Sequence, residues 1–174
     1  MTRTWLTLLV LGFFLLCLLA MWLGWRRRAK RQQAVLPTFP DVPERLGDQA
    51  ELRATGVYVS TVFAGAWQDR ITVGDVGHRA AGALLWYPEG LLVERTGASG
   101  LWIPAESIID ARTDRALAGK VMGTEGLLVV RWRLGEHELD SGFRGDDKSV
   151  YPQWIDTLRA AAADDRATGE VGQQ

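Results

Sequence analysis

Gly126–Ser141, GLLVVRWRLGEHELDS, consists of two alternating runs of apolar and charged residues around one glycine. Read as a hairpin turning at Leu134-Gly135, it sets Arg133 against Glu136, Arg131 against Glu138 and Val129 against Asp140 on one face. The other face pairs Trp132 with His137 and Val130 with Leu139. One face is charge-paired and the other mostly apolar, as a ribbon buried on one side requires. His137 lies between two glutamates in sequence, but alternation along a strand sends its side chain away from both, so it reads as packing rather than as a metal ligand.

Upstream, short β-rich pieces recur about every ten residues. They are Gly56–Phe63, Ile71–Val73, Ala83–Tyr87, Gly90–Glu94, Gly100–Ile103 and Ser107–Arg112, with turn residues at Pro88-Glu89-Gly90 and Thr96–Gly100. That spacing predicts antiparallel sheets or a small barrel and excludes a series of βαβ units. Downstream, Ser149 is read as a helix N-cap and Pro152 sits in the first turn, where its missing N–H costs little. Val150, Trp154, Ile155 and Leu158 make one apolar face. Asp146 and Asp147 complement the helix's positive end. The sequence predicts one mainly β domain over residues 52–163, an antiparallel sandwich or open barrel capped by a C-terminal α-helix, with 164–174 as a disordered tail. Short strands closed by one amphipathic helix with a core tryptophan are the layout of a pleckstrin-homology-like (PH-like) domain.

Before the domain, residues 32–51 carry Pro37, Pro40 and Pro43 without helical or strand periodicity, which predicts a semi-rigid polyproline stalk. Before that, Trp5–Trp25 is an uncharged run of twenty-one residues with nine leucines. As a helix it reaches roughly 30 Å, the thickness of a bilayer's hydrocarbon core. The run is too long for a signal peptide, which has about 7 to 15 apolar residues, and no small-x-small cleavage site follows it. Residues 1–31 therefore read as a single membrane anchor with its stop-transfer flank, Arg26, Arg27, Arg28, Lys30 and Arg31. One Arg precedes the run and five basic residues follow it, which predicts an N-terminus outside the cell membrane and a cytoplasmic domain. Trp5, Trp22 and Trp25 suit the interfacial belts of the lipid bilayer. Ala20 and Gly24 form a small-xxx-small pair that would let two helices approach as a homodimer.

Six of the twenty basic residues and none of the twenty-one acidic ones lie before Gln32, so the rest of the chain is distinctly acidic. Such a domain is a poor nucleic-acid partner, because that affinity rests on neutralising phosphates. The one cysteine, Cys17, lies in the apolar run, which leaves the domain without a disulfide or a cysteine zinc site. Asp114–Lys120, DRALAGK, ends like a phosphate loop, yet Asp114 stands where the first glycine is needed and Val121 where the Mg²⁺-binding hydroxyl is needed. With only His78 and His137 available, no nucleophile elbow or metal-ligand spacing forms. The expectation is a protein that is not an enzyme and needs neither metal nor cofactor.

Two constellations offer binding chemistry. Trp67, Arg70, His78 and Arg79 fall in the connection after the first strand, where a PH-like fold can place a ligand loop. The alternative there is a packed Trp67 among solvated charges. Arg112, Arg115 and Lys120 are a basic knot in an acidic domain, with local pairing to Asp110 and Asp114 as the plainer reading.

Tyr58–Arg79 (YVSTVFAGAWQDRITVGDVGHR), Tyr87–Pro104 (YPEGLLVERTGASGLWIP), Arg112–Arg133 and Ser141-Gly142-Phe143-Arg144 resemble a family of single-pass membrane proteins with a bacterial PH-like domain. That family is known from high-GC Gram-positive bacteria, near pyrimidine-biosynthesis genes, and is often labelled transporter or export protein. The resemblance implies a fold and a membrane address, but no catalytic residues. One helix without polar intramembrane residues cannot enclose a solute route, so a transport role would be that of an accessory subunit. The sequence-based expectation is a membrane-anchored scaffold that recruits a protein partner; the alternative is a binder of an anionic small molecule or lipid headgroup.

Overall fold

The computed structural model describes the backbone of residues 2–47, 49–66, 70–71, 73, 75–117, 120–121 and 126–171, with side chains except at 2–4, 25–35, 116–117, 120–121 and 165–171. The chain forms two compact units, Met1–Val35 and Leu36–Gln174.

The first unit is helix α1, Thr2–Val35. Within it Trp5–Gly24, with a mean hydropathy of 2.7 and no residue buried, is long and apolar enough to cross a membrane. Trp5 and Trp22 are exposed on it. The side chains of Trp25, Arg26, Arg27, Arg28, Lys30 and Arg31 lie outside the described residues. The helix runs through the basic flank and ends four residues beyond Arg31.

The second unit is built on β1 (Leu52–Phe63), β2 (Ala80–Tyr87), β3 (Gly90–Arg95), β4 (Leu101–Pro104), β5 (Ile108–Asp114), β6 (Ala116–Leu117), β7 (Lys120–Val121), β8 (Leu127–Leu134), β9 (His137–Gly145) and α2 (Tyr151–Val171). Seven strands form one antiparallel sheet in the order β4-β3-β2-β1-β9-β8-β5, and β6 and β7 pair separately. Long β1 serves both halves: 52–58 pair with β2 and 56–63 with β9. The predicted antiparallel β domain, sandwich or open barrel, with its C-terminal helix is thus what forms, built from one continuous sheet.

The overlap of the two halves is marked by glycine. Gly56 lies directly opposite Gly82 on one side and Gly145 on the other. A Cβ at Gly82 would collide with the carbonyl oxygen of Glu94, and one at Gly56 with that of Arg144. The backbones approach this closely only because side chains are missing there, the usual role of glycine where a sheet bends sharply. Gly82→Ala should cost about 1–3 kcal/mol, the range for overpacking. Its denaturant midpoint checks this, and an unchanged midpoint would show that the bend has slack.

Alternation places Tyr58, Leu84, Leu91, Val93, Leu128, Val130, Trp132, Leu139 and Phe143 in the central core, which α2 plugs with Tyr151, Trp154, Leu158 and Ala162. A break in the β1–β9 register between Tyr58 and Ser60 changes the alternation. Val59 and Val62 consequently join Leu127 and Val129 in a second small cluster.

Several local expectations are corrected. The hairpin turns at Gly135-Glu136, with Leu134 opposite His137, Arg133 opposite Glu138 and Arg131 opposite Asp140. Gly135 has φ +58°, and a two-residue turn with a left-handed first position takes glycine there in place of Leu134. The register moves by two, so each residue keeps its face. Neither Ile71 nor Val73 lies in a strand; Ile71 is fully buried in the β1–β2 connection, and Arg70 bridges to Val62. Ser149 precedes the helix, its N–H bonded to Asp147 Oδ1 at 2.8 Å. The backbone of α2 continues past Ala163 to Val171.

The segment read as a free stalk lies on the domain from Leu36 onward. Leu36 is buried in the central core, and Phe39 stacks at a tilt on Trp132 with 6.1 Å between ring centroids. Leu46 and Ala50 pack on the separate cluster of Ala83, Leu85, Leu92 and Trp102. Its apolar residues contact the sheet one at a time, so no helical or strand period appears in the sequence.

Candidate interaction sites

Three features are built from these elements: the braced β1–β2 connection, a charged ladder on β5, β8 and β9, and the end strands of the sheet.

The β1–β2 connection is held from beneath by a chain of buried hydrogen bonds. Trp132 Nε1 donates to Ser141 Oγ (3.0 Å), which is 2.7 Å from Thr61 Oγ1. Thr61 Oγ1 in turn lies 2.6 Å from the Tyr58 hydroxyl, which donates to the carbonyl of Val76 at 2.6 Å. Because Tyr58 has one proton and gives it to Val76, Thr61 must donate to Tyr58 and Ser141 to Thr61. Burial pushes the Tyr58 hydroxyl far above its usual pKa, so it stays a donor.

From the other side comes Arg95, at the end of β3. Its guanidinium reaches Asp75 Oδ1 at 2.6 Å, the Asp75 carbonyl at 2.9 Å and the Ser99 carbonyl at 2.8 Å, and lies 5.1 Å from the centroid of the Tyr58 ring. The Arg95 side chain is 1% exposed and that of Asp75 38%. Asp75 also accepts from the N–H and hydroxyl of Ser99. Burial would raise the Asp75 pKa, but those bonds and the Arg95 charge outweigh it and hold the carboxyl below its ordinary value.

Upon this base sit those of the expected loop residues that are described. Arg70 is half-buried and donates to the Gly77 carbonyl at 3.5 Å. His78 is exposed, its N–H on the Asp75 carbonyl, and Arg79 is exposed. Trp67 lies outside the described residues.

On the ladder, Asp140 is 3% exposed and receives two guanidiniums: Arg112 at 2.9 Å and Arg131 at 2.9 Å. Burial would raise its pKa, but hydrogen bonds from Arg131 and Arg112 and their charges bring it below the ordinary range. Arg112 also lies 3.6 Å from Asp114, and Arg159 of α2 ties to Asp110 at 2.9 Å. Arg115 is exposed, with its N–H on Asp114 Oδ1 at 2.7 Å. Arg112 is therefore drawn chiefly onto Asp140, with Asp114 farther off, and Asp110 is held by Arg159. The Lys120 side chain lies outside the described residues.

Asp75 and Asp140 both have depressed folded pKa values, so their stabilisation is complete above the unfolded value and is lost as pH falls through the folded one. Melting temperature should hold down to about pH 5 and then drop below about pH 4, the ordinary carboxylate range. Asp140→Asn should begin lower and fall less steeply in a melting series against pH. An identical acid slope would show that Asp140 has its unfolded pKa in the fold.

The end strands of the sheet are β4, four residues closing on Pro104, and β5, seven residues, against which α2 packs. Among the described residues beyond α1, the one exposed large apolar side chain is Val42.

With this topology on the page, comparison with known proteins gives one decisive match: the model of the family described as bacterial PH domain-like matches residues 36–159. The chain belongs to the bacterial PH domain-like family. The family match begins at Leu36, the residue with which the buried core begins. No curated protein matches. Among solved structures, the chain is similar to the C-terminal domain of an unknown protein from Leishmania infantum, at 13% identity over 80% of this chain and 96% of that one, with a TM-score of 0.43.

Sequence reasoning missed Arg95 and Asp140. The signal for Arg95 was present, because alternation puts it on the face of Leu91 and Val93 in this PH-like domain. Asp140 had its ladder partner misassigned by the two-residue register error, and Arg112, a strand away, had no sequence link to it.

Proposed function

We propose that the protein is a membrane-tethered, non-enzymatic PH-like module that recruits a protein partner by strand addition at β5, an end strand of the sheet beside α2. The observation that carries this is the position of β5: it ends the seven-stranded sheet with seven residues of backbone, nearly twice the length of the opposite edge. Main-chain hydrogen bonds along such an edge give affinity, and the alternate side chains give choice. Two further features support the reading over an anionic-ligand binder. Arg112 and Arg131 are directed at a carboxylate, and Arg70 at a carbonyl. Val42 is the one large exposed apolar residue described on the domain, so among the described residues main-chain contact is favoured over apolar docking.

In this reading the domain lies at the cytoplasmic face of a cell membrane, which the apolar span of α1 and the basic residues after it support. Protease added to intact cells should leave the domain whole; digestion alongside intact cytoplasmic markers would reverse the orientation. For recruitment, a photo-crosslinking residue at Thr113 in the full chain, activated in living cells, should give a discrete protein adduct. The same probe at exposed Glu94, on β3, should not. A probe at Thr113 that captures no protein, together with saturable binding of anionic vesicles that requires Arg70 and Arg79, would overturn the recruiting role.

A further inference from the structure

We propose that residues 40–50 are a releasable cover, which opens as a loop while the rest of the domain stays folded and so controls whether an apolar strip on the outer face of the sheet meets water. This device is independent of the recruiting role assigned to β5.

The strip is a row across three strands. Leu85 of β2 lies opposite Leu92 of β3, and Leu92 lies opposite Trp102 of β4. Their neighbours along the chain, Leu84, Val93 and Leu101, belong to the central core, so alternation sends the row to the other face. An antiparallel sheet open to water on that face would carry polar residues there. Instead the three side chains are 4–7% exposed, and besides Ala83 and Tyr87 of the sheet itself, Leu46 and Ala50 pack on them.

The cover is held firmly only at its two ends. Before it, Leu36 is buried in the core and Phe39 stacks on Trp132; after it, the Glu51 N–H donates to the Trp86 carbonyl at 2.8 Å. Among the described residues between those ends, none makes a hydrogen bond or an ion pair. Pro40 and Pro43 have no N–H to give, so the stretch does not zip onto a strand edge. Asp41, Val42, Glu44 and Arg45 are exposed, and Leu46 and Ala50 are only partly buried.

Ordering such a stretch costs backbone entropy at every residue, and two partly buried side chains offset little of it. Segments with few apolar contacts and no main-chain hydrogen bonds are the ones that open locally, well below the free energy of global unfolding. Wetting Leu85, Leu92 and Trp102 is the opposing cost, which keeps the closed form dominant and the open form a minor state. Closed, the described domain shows water Val42 as its one large apolar side chain; open, it adds the row.

The test uses the full chain in lipid nanodiscs with Cys17→Ser, which removes the one native thiol, and one new cysteine at a time. Leu92 lies under the cover, so Leu92→Cys reports its opening. Val93, the next residue, lies in the central core at 2% exposure, so Val93→Cys reports global unfolding. Circular dichroism and melting first establish that each protein is folded, and Leu85→Cys, in the same row, replaces Leu92→Cys if that one is not. A charged maleimide should label Leu92→Cys faster than Val93→Cys by about tenfold or more, the mark of local opening. Adding Leu46→Asp should speed the first a further fivefold, roughly, and leave the second within about twofold. Equal rates at the two positions overturn the proposal, because the cover then moves only with the whole domain. So does a Leu46→Asp variant that fails to fold or speeds both positions alike, which makes Leu46 part of the core. If Leu46→Asp leaves the Leu92→Cys rate unchanged, residues 40–50 do not control the strip and the proposal is likewise wrong.

Discussion

Trp154→Ala is expected to lower the stability of the domain by about 3–5 kcal/mol, the range for removing a buried tryptophan. Trp154 is 1% exposed, on the α2 face that also presents Tyr151, Leu158 and Ala162 to the core. Its neighbours cannot close the gap readily. Tyr151 is fixed by its hydroxyl, which donates to the Gly126 carbonyl at 3.1 Å and accepts from the Gly145 N–H at 2.8 Å. The helix is therefore pinned at its first turn to the β9 end and to the residue before β8, and a cavity below it persists. A typical domain has about 5–15 kcal/mol of stability in all, so the variant should melt far earlier or fail to accumulate. Trp154→Phe, which keeps most of the apolar volume, should recover much of the loss. Equal melting of wild type and Trp154→Ala would mean that α2 does not plug the sandwich.

What the sequence disclosed about this fold followed physical period. Strands that are buried on one face alternate, so β8, β9 and the pairing of charge with charge were legible, and the i, i+3, i+4 face of α2 was legible in the same way. Register was not, because two turn placements one residue apart shift the pairing by two and preserve every inside and outside assignment; only the conformation of Gly135 separates them. The strap from Leu36 to Ala50 was hidden for a different reason. Leu36, Phe39 and Leu46 contact different strands at irregular spacing, and prolines between them suggest an extended chain whether or not anything lies beneath it. The binding residues were the least legible. Arg70, Arg79 and Arg112 were selected by charge, but the partner of a charge across a sheet is set by strand order. No local pattern connects Arg112 to Asp140, or Arg95 to an aspartate twenty positions earlier.

The Arg95–Asp75 pair should show a marked asymmetry when it is broken from either side. Removing one partner of a buried pair is costly because the other is left charged without compensation, typically by about 3–5 kcal/mol. Here only one partner is deeply buried: the arginine side chain is 1% exposed and the aspartate 38%. Asp75→Ala strands a guanidinium in the core with two backbone carbonyls and the Tyr58 ring for company, so it should approach the upper part of that range. Arg95→Met leaves a carboxylate that water can reach and that Ser99 still binds through its N–H and hydroxyl, so its cost should be distinctly smaller. The double variant, with neither charge, should be more stable than Asp75→Ala alone, because the apolar methionine stem fills the arginine's channel without needing a counterion. Chemical denaturation of the three proteins at neutral pH measures all of this. Additive losses, with the double variant the weakest of the three, would show that Arg95 is hydrated in solution and that the brace beneath the β1–β2 connection is not the buried pair described.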